Sequence, residues 1–321
     1  MAETYFITGA QGCIGSWIVK ALVERGDQVV VFDRSDDSRR LLAIISEEGL
    51  SRVRFVVGEI TEYQTVLKAL ERSGTQRVIH LAGLQVPTCR VDPVAGAMVN
   101  VVGTLNIFEA AKTVGVRGVV YASSAAVYGI NEDGAPLDES ADPEPSTHYG
   151  VFKRANEGNA RVYFLDHCIS SVGLRPLTVY GVNRDTGITS DPTKAMKAAV
   201  LGRPFHIRFG GSTDFQYVAD TAATFIACAD QLPQGASVFN LHGDAVEVAQ
   251  VTEIINRRIG NELVTFGGPE IPVASSMNDA AIRRAISGLR STPLEEGINK
   301  TIEMFRMLRD QDRLETSDLD V

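Results

Sequence analysis

The feature that most constrains this chain is a glycine-rich loop near its N-terminus. A short apolar run beginning at Tyr5 leads into Gly9, Gly12 and Gly15, and a helical pattern of apolar residues continues from Trp17. The spacing G-x-x-G-x-x-G is typical of the turn between a parallel strand and a helix, where side chains would block the approach of backbone to phosphate. The sequence therefore predicts a dinucleotide pyrophosphate at the N-terminus of this helix.

An acidic residue at the end of the next predicted strand supports this prediction. Asp33 follows Gly15 by 18 residues, and a carboxylate there can accept hydrogen bonds from the adenosine ribose hydroxyls. Its charge would repel a 2′-phosphate, which favours NAD over NADP. NADP remains an alternative cofactor because the guanidinium of Arg34 can bind that phosphate. A glycine turn that binds no ligand is the plain structural alternative.

The composition restricts the class of protein and its partners. The chain has 321 residues, 44% of them hydrophobic, and a formal net charge of −9. The acidic excess disfavours nucleic acid and anionic membranes as partners, and no apolar run approaches the ~20 residues of a membrane span. The absence of a secretory-signal pattern and the four scattered cysteines favour a reducing cytoplasm. The spacing of His and Cys residues predicts no metal site.

The order of the predicted elements indicates an α/β fold. Apolar, β-rich runs alternate with helical patterns up to residue 175, which predicts a Rossmann-type doubly wound parallel sheet in an NAD-binding domain over 1–175. Prolines and glycines then become denser and predict a smaller C-terminal substrate-binding lobe over 176–309, with interleaving of the two parts allowed. The acidic stretch 310–321, which includes Asp320, predicts a mobile tail.

Local signals give the boundaries of these elements. The predicted strands are 4–8, 28–32, 53–57, 77–80, 118–123, 169–174 and 238–241, and the predicted helices are 14–25, 38–47, 62–72, 94–114 and 149–166. Asp92 followed by Pro93 predicts a capped start for the fourth helix. A final helix is predicted to begin at Thr292-Pro293-Leu294-Glu295, which combines a proline at the first position with a capping box.

A tyrosine and a lysine are the strongest candidates for chemistry. Tyr149 and Lys153 are four residues apart in a helical pattern and so share one face. An ammonium beside a phenol favours the phenolate and lowers its pKa, which yields a general acid/base for hydroxyl–carbonyl interconversion. Ser123 and Ser124 end an apolar strand, where a hydroxyl can hold the reacting oxygen against Tyr149. The structural alternative is an ordinary amphipathic helix.

Together these motifs resemble those of the extended short-chain dehydrogenases/reductases of the NAD-dependent epimerase/dehydratase type, over nearly the whole chain. The matching segments are 8–15, Asp33, Gly58-Glu59-Ile60 (with Glu where the family has Asp), His80-Leu81-Ala82-Gly83, Asn100, 123–129, Tyr149, Lys153, Leu174-Arg175-Pro176, Val179-Tyr180-Gly181 and 214–220. The resemblance implies NAD as cofactor, a substrate between the two lobes, and a homodimer formed through the two long helices.

The resemblance also implies a set of site residues. The implied catalytic residues are Ser124, Tyr149 and Lys153. The implied cofactor-binding residues are Gly9, Gly12, Cys13, Ile14, Asp33, Arg34, Glu59, Ile60, Leu81, Ala82, Gly83, Asn100, Ser123, Tyr149, Lys153 and Pro176. The implied substrate-binding residues are Gln85, Ser124, Ala125, Tyr149, Thr189 and Ser190. For Cys13, a small buried hydrophobe is the structural alternative to a redox-sensitive thiol.

Two departures from the family pattern bear on the substrate. Thr213 stands where nucleotide-sugar enzymes commonly carry an arginine that grips the diphosphate, and Phe266-Gly267-Gly268-Pro269 replaces an Arg-Pro-Gly-Asp segment. Arg203, Arg208 and Arg257 are candidates for compensation. The stretch 186–191 is rich in small hydroxyls and faintly resembles the substrate loop of short-chain L-threonine dehydrogenases. Helix capping before Pro192 is its alternative role.

These observations predict an NAD-dependent oxidoreductase that acts on a small sugar-like or hydroxy-acid substrate, with Tyr149 as acid/base. The alternative is an NAD-dependent (nucleotide-)sugar epimerase that uses the same residues with transient oxidation. A non-catalytic nucleotide sensor on the same fold is a third class, which the intact Ser124, Tyr149 and Lys153 disfavour.

Overall fold

The computed structural model describes residues 2–129, 134–271 and 274–319. The strands are β1 (Thr4–Thr8), β2 (Gln28–Asp33), β3 (Val53–Val57), β4 (Arg77–His80), β5 (Gly118–Ala122), β6 (Ser170–Arg175), β7 (Thr178–Tyr180), β8 (Phe205–Ile207), β9 (Ser212–Tyr217), β10 (Ala236–Asn240), β11 (Asp244–Glu247) and β12 (Val264–Phe266). The helices are α1 (Cys13–Arg25), α2 (Arg39–Ile44), α3 (Glu47–Leu50), α4 (Tyr63–Ser73), α5 (Val86–Val91), α6 (Pro93–Ala97), α7 (Gly103–Val114), α8 (His148–His167), α9 (Asp191–Val200), α10 (Val218–Asp230), α11 (Val248–Ile259), α12 (Ala280–Ala285) and α13 (Leu294–Asp310).

A seven-stranded parallel sheet with the strand order β10-β6-β5-β4-β1-β2-β3 forms the centre of the protein. Strand β1 lies between β4 and β2, so the chain progresses outward in opposite directions from this position. Apolar clusters cover the sheet on both faces. This is the predicted α/β class, and in such sheets a ligand crevice opens at the carboxyl ends of the strands where the order reverses.

The last strand of the central sheet comes from the C-terminal part of the chain. Strand β10 pairs in parallel with β6, from Ala236 opposite Ser171 to Asn240 opposite Arg175. The remaining strands of that part form a three-stranded sheet (β11-β9-β7) and a two-stranded sheet (β12-β8). The two predicted parts therefore share one sheet, and the boundary at residue 175 stays a prediction.

The end of the chain lies against α9 as far as the structure describes it. The ammonium of Lys197 donates to Asp318 at 2.6 Å and to the carbonyl of Glu315 at 3.1 Å. Arg313 donates to the carbonyl of Leu42. These contacts hold residues 313–318 against the protein, although the sequence predicted a mobile tail. Asp320 lies outside the described residues.

Most predicted boundaries differ from the observed ones by one or two residues, and two differences have a clear physical cause. The predicted helix 38–47 is divided into α2 and α3, because the Ser46 hydroxyl accepts from the N–H of Gly49 and starts a second helix.

The predicted capping box at Thr292 is wrong. Helix α13 begins at Leu294, whose N–H donates to the carboxylate of Asp244. The prediction that Asp92 caps the fourth helix is confirmed by its bond from the N–H of Ala95 at 2.9 Å.

One helical segment, Pro93–Val114, is long and apolar enough by length and composition to cross a membrane, which the sequence analysis did not anticipate. It comprises α6, a π-helical turn at Met98–Val102, and α7. Length and composition alone do not separate a membrane span from a core helix. Here Ile107 and Phe108 are fully buried in a cluster that also contains residues of α4 and α8.

A buried histidine ties the end of β4 to β1 and α7. The Nδ1 atom of His80 lies 2.7 Å from the Thr8 hydroxyl, and its Nε2 atom lies 3.0 Å from the Thr104 hydroxyl. Burial is the main cause that lowers the pKa of His80 to about 3, with a smaller contribution from the charge of Lys153. The imidazole is therefore neutral in the folded protein at ordinary pH.

We expect His80 to make the protein less stable in mild acid. The unfolded chain takes up a proton below its usual pKa of about 6.5, whereas the folded chain does not until about pH 3. The free energy of unfolding should therefore fall as pH decreases through this window, by about 2 kcal/mol between pH 7 and pH 5 from this residue. Urea unfolding of His80→Asn should show a pH dependence weaker by that amount. The exposed His206→Asn is the control, and an unchanged dependence in His80→Asn would contradict the assignment.

Candidate active site

The glycine loop has the close packing that its sequence predicts. Gly9 has φ 67°, and a Cβ atom there would lie 2.6 Å from the backbone nitrogen of Ala82. A Cβ atom at Gly15 would lie 2.4 Å from the carbonyl oxygen of Gly9. Gly12 precedes α1 and offers no side chain to cap it, so the N–H groups of the first helical turn are left to bind a ligand such as a phosphate. The loop therefore fits a dinucleotide pyrophosphate.

The carboxylate of Asp33 is fixed at the end of β2, beside this loop. It accepts from the N–H of Gln11 at 3.2 Å and from the N–H of Arg34 at 2.9 Å. Burial raises the pKa of Asp33, and these two hydrogen bonds oppose the rise. The Arg34 residue itself is exposed. The carboxylate is thus held in the place where the sequence expects the adenosine ribose.

Cys13 and Ile14 begin α1 and pack against the apolar core. Burial raises the pKa of the Cys13 thiol to about 12. The thiol is therefore protonated at neutral pH, which supports the interpretation of Cys13 as a small buried hydrophobe.

The segment after β4 is clamped by a buried asparagine in the π-helical turn. The N–H of Leu81 donates to the last carbonyl of β1. Asn100 accepts from the N–H of Leu84 at 2.7 Å and donates to its carbonyl at 2.9 Å. A Cβ atom at Gly83 would lie 2.9 Å from the side-chain oxygen of Asn100 and 3.6 Å from Nζ of Lys153. Asn100 thus positions the backbone that faces Lys153.

Two of the predicted cofactor-binding residues, Glu59 and Ile60, have different surroundings. Ile60 is buried against Gly103, and its carbonyl accepts from the amide of Asn106 at 2.9 Å. Glu59 is exposed. Their contacts with the cofactor stay predictions.

The structure brings the three predicted catalytic side chains together. Tyr149 lies in the first turn of α8, which the Thr147 hydroxyl caps by accepting from the N–H of Gly150 at 3.1 Å. The Ser124 hydroxyl is close enough to that of Tyr149 to act on its pKa. The ammonium of Lys153 lies 5.5 Å from the centroid of the Tyr149 ring. A substrate oxygen placed between Ser124 and Tyr149 would contact both hydroxyls.

The pKa values of the pair differ from the sequence expectation. Burial raises the pKa of Tyr149, while the hydrogen bond from Ser124 and the charge of Arg184 oppose the rise. The charge of Lys153 does not lower it in this structure, where the ammonium donates to the carbonyl of Ala122 at 2.6 Å. Burial also lowers the pKa of Lys153 to about 8. The expectation that Lys153 lowers the pKa of Tyr149 is therefore wrong for this structure.

The loop that carries the catalytic serine is supported from the next strand. The N–H of Ala125 donates to the carbonyl of Pro176 at 3.0 Å. The Ser124 hydroxyl accepts from the N–H of Ala126 at 3.1 Å, which starts a short 3₁₀ turn. These bonds place Ser124, Ala125 and Pro176 close together, while their contacts with ligands stay predictions.

A buried ion pair that the sequence analysis missed lies beneath this loop. Ser123 donates to Glu157 at 2.6 Å, and Arg175 donates to the same carboxylate at 2.7 and 2.8 Å. Arg175 also donates to the hydroxyl of Tyr128, which in turn donates to the side chain of Asn240. The sequence carries no local signal for it, because Glu157 lies in α8 and Arg175 in β6. The Ser123 hydroxyl therefore has a structural partner within the protein.

The predicted substrate loop contributes one side chain that was not predicted, Arg184. Its guanidinium donates to the Thr189 hydroxyl at 2.9 Å. A Cβ atom at Gly187 would lie 2.3 Å from the side-chain oxygen of Gln85 and 3.2 Å from the guanidinium, so these two groups converge. Ser190 precedes α9, but its hydroxyl donates to the carbonyl of Gly187 at 2.8 Å and does not cap the helix. The capping alternative for this hydroxyl is therefore wrong.

Position 213, where nucleotide-sugar enzymes commonly carry an arginine, is occupied by a buried threonine. Thr213 lies in β9, is 1% exposed, and its hydroxyl is 2.8 Å from that of Thr178 in β7. The neighbouring Asp214 is fully buried and bonds the imidazole of His242. The position therefore serves the packing between two strands of the smaller sheet.

Within residues 2–129, 134–271 and 274–319, no group of three His, Cys, Asp or Glu side chains could hold a metal ion. The site combines the glycine loop, the fixed carboxylate of Asp33 and the side chains of Ser124, Tyr149 and Lys153. Such an arrangement suits proton transfer to or from a hydroxyl next to a bound nicotinamide.

We expect Asp33→Ala to weaken NAD binding and to narrow the preference for NAD over NADP. The substitution removes both the ribose acceptor and the charge that repels a 2′-phosphate. Both affinities can be measured by calorimetry, with the exposed Asp36→Ala as a matched control. An unchanged ratio of the two affinities would mean that Asp33 does not contact the ribose.

Comparisons with known proteins agree with this arrangement. The model of the NAD dependent epimerase/dehydratase family matches residues 5–241. The UDP-glucose 4-epimerase of Mycolicibacterium smegmatis is 30% identical over 315 residues, which cover 94% of this chain and 97% of that protein. The crystal structure of the Thermus thermophilus UDP-glucose 4-epimerase in complex with NAD gives a TM-score of 0.82 at 25% identity, covering 94% of this chain and 99% of that one.

A partial-consensus L-threonine 3-dehydrogenase gives a TM-score of 0.83 at 23% identity, covering 95% of this chain and 99% of that one, which shows a likeness of fold. These matches confirm the predicted family, the Rossmann-type fold and the use of NAD, while the roles of single site residues stay predictions. The chain belongs to the NAD-dependent epimerase/dehydratase family and is an NAD-dependent enzyme of the extended short-chain dehydrogenase/reductase type.

Proposed function

We propose that this enzyme is a dehydrogenase that oxidises a hydroxyl group on a small sugar-like or hydroxy-acid substrate without a nucleotide. The observation that carries the proposal is the buried Thr213, whose hydroxyl lies 2.8 Å from that of Thr178. A nucleotide sugar presents a diphosphate, and a guanidinium fork is the side chain best matched to its oxygens. A threonine committed to strand packing supplies no such donor.

The other candidate cations do not replace this arginine. The guanidinium of Arg208 forms a two-pronged bond with the carboxylate of Asp191 at 2.8 and 2.9 Å. Arg257 pairs with Glu295 at 2.9 Å on the surface. Arg203 is exposed. A smaller substrate that needs no diphosphate grip is therefore favoured.

The chemistry follows from the arrangement of the three catalytic side chains. Ser124 donates to the substrate oxygen and holds it against Tyr149, and Tyr149 accepts the hydroxyl proton as its phenolate. The ammonium of Lys153, whose pKa burial lowers to about 8, lies 5.5 Å from the centroid of the Tyr149 ring and binds the nicotinamide ribose. Bound NAD would supply the acceptor for the hydride that leaves the substrate carbon. The proton of the substrate hydroxyl is thus transferred to Tyr149, and the hydride to the nicotinamide.

A nucleotide-sugar epimerase is the second candidate function. The relatives of this chain favour it, because they include the UDP-glucose 4-epimerases of M. smegmatis and T. thermophilus. An epimerase uses the same three residues but must hold its keto intermediate while the ring turns. The two candidates therefore differ in how the substrate is anchored.

We also propose a cytoplasmic homodimer. The two long helical segments, Pro93–Val114 and α8, and the adjoining α5 carry apolar side chains exposed to solvent. These side chains are Val91, Val94, Met98, Val151, Val162 and Leu165. A partner copy packed on them would remove this apolar surface from water.

A substrate panel with excess NAD separates the two candidate functions. It contains free sugars, sugar acids, hydroxy acids and nucleotide sugars, and both NADH absorbance and product identity are recorded. We expect NADH to accumulate in step with an oxidised product from a substrate without a nucleotide. A nucleotide sugar converted to its stereoisomer without net NADH would instead establish the epimerase.

We expect Tyr149→Phe to abolish turnover and to leave NAD affinity nearly unchanged, because only the proton-transferring oxygen is removed. Tyr63→Phe, which removes a surface hydroxyl bonded to Thr113, is the matched control. Turnover of Tyr149→Phe within tenfold of the wild type, or about 1.4 kcal/mol in the activation barrier, would contradict the assigned role.

A further inference from the structure

The guanidinium of Arg184 is a partly buried cation without a carboxylate partner in the described part of the chain. One of its nitrogens donates to the Thr189 hydroxyl at 2.9 Å, whereas its Nε atom is buried and has no hydrogen-bond partner there. A desolvated guanidinium with an unpaired donor is costly unless an anion satisfies it. The side chain therefore has the properties of an anion-binding group.

The backbone that carries Arg184 is fixed by the residue before it. Asn183 has φ 75°, and its amide donates to the Ser16 hydroxyl at 3.0 Å and to the carbonyl of Arg40 at 2.9 Å. The indole of Trp17 donates to the carbonyl of Val182 at 3.0 Å. These bonds attach the loop to α1, so Arg184 is held in place before any ligand binds.

The nearby carboxylates are already paired with other arginines. Asp185 accepts two bonds from Arg40 at 2.7 and 2.8 Å. Asp191 is paired with Arg208. Neither carboxylate neutralises Arg184, which is why its charge is available to a ligand.

The charge of Arg184 acts on both the cofactor loop and Tyr149. Its charge opposes the rise in pKa at both Cys13, the first residue of α1, and Tyr149. The amide of Gln85 reaches the same point from the segment after β4. A ligand that contacts Arg184 and Gln85 while its hydroxyl meets Tyr149 has its anionic group on the same side of the site as the reacting hydroxyl.

We propose that Arg184, together with Gln85 and Thr189, binds a carboxylate of the substrate. The inference deepens the proposed function, on which it rests, by naming the substrate class as a sugar acid or short hydroxy acid. The planar fork of a guanidinium matches two carboxylate oxygens. Gln85 and Thr189 supply the neutral polar groups that fit beside such a carboxylate. The carboxylate anchors the substrate, so no nucleotide is needed.

The test measures binding to the NADH-loaded enzyme. The probes are aldonates and short hydroxy acids, each compared with its own primary amide, which keeps every hydroxyl and lacks the charge. We expect at least one acid to bind the wild type about thirtyfold more tightly than its amide, as charge-assisted hydrogen bonds allow. Arg184→Gln should remove this difference, and Arg184→Lys should retain only part of it. Arg257→Gln, a surface arginine, is the control.

The affinity for NADH and the melting temperature of each variant are measured beside the acid affinity. The proposal requires NADH affinity within about twofold of the wild type in Arg184→Gln, since charge-assisted bonds to the cofactor would change it by more. A loss of NADH affinity with the acid preference retained would assign Arg184 to the cofactor pyrophosphate and overturn the proposal. Wild-type enzyme that binds no acid better than its amide would also overturn it. NADH formation from a neutral sugar would then leave the proposed dehydrogenase intact, whereas epimerisation of a nucleotide sugar would refute that function independently.

Discussion

The buried carboxylate of Glu157 is the interaction on which the catalytic geometry depends. It joins α8, which carries Tyr149 and Lys153, to Ser123 at the end of β5 and to Arg175 at the end of β6. A buried charge pair is tolerated only when its remaining donors and acceptors are satisfied. Arg175 meets this condition through Tyr128, which reaches Asn240 in β10. One network therefore sets the distance between the catalytic serine and the catalytic helix.

Close approach of backbone to backbone gives the cofactor side of the site its shape. Gly9 packs on Ala82, and Gly15 packs on Gly9, so no side chain larger than hydrogen fits at either glycine. On the predicted substrate side, hydrogen bonds from polar side chains fix the backbone, as the amide of Asn183 does for its loop. The predicted cofactor region is thus shaped by glycines that lack a side chain, and the predicted substrate region by side chains that form hydrogen bonds.

The sequence was sufficient for the features that are local along the chain. The glycine loop, Asp33 and the Tyr149–Lys153 pair each lie within a few residues of the elements that position them. Arg184 could not be predicted in this way, because its hydrogen-bond partner Thr189 and its neighbour Gln85 come from other parts of the chain. The cap of α13 was mispredicted for the same reason, since the distant Asp244 satisfies the N–H of Leu294. Long-range hydrogen bonds thus account for both differences.

The seventh strand of the central sheet has a consequence for the order in which the protein is made. Strand β6 ends at residue 175, but its outer edge is paired only by β10, at residues 236–240. While the ribosome synthesises the intervening residues, β6 presents unpaired N–H and C=O groups at the edge of a largely complete sheet. Such an edge can pair with another nascent chain. The central sheet is therefore protected from misassembly at this edge only after residues 236–240 have emerged.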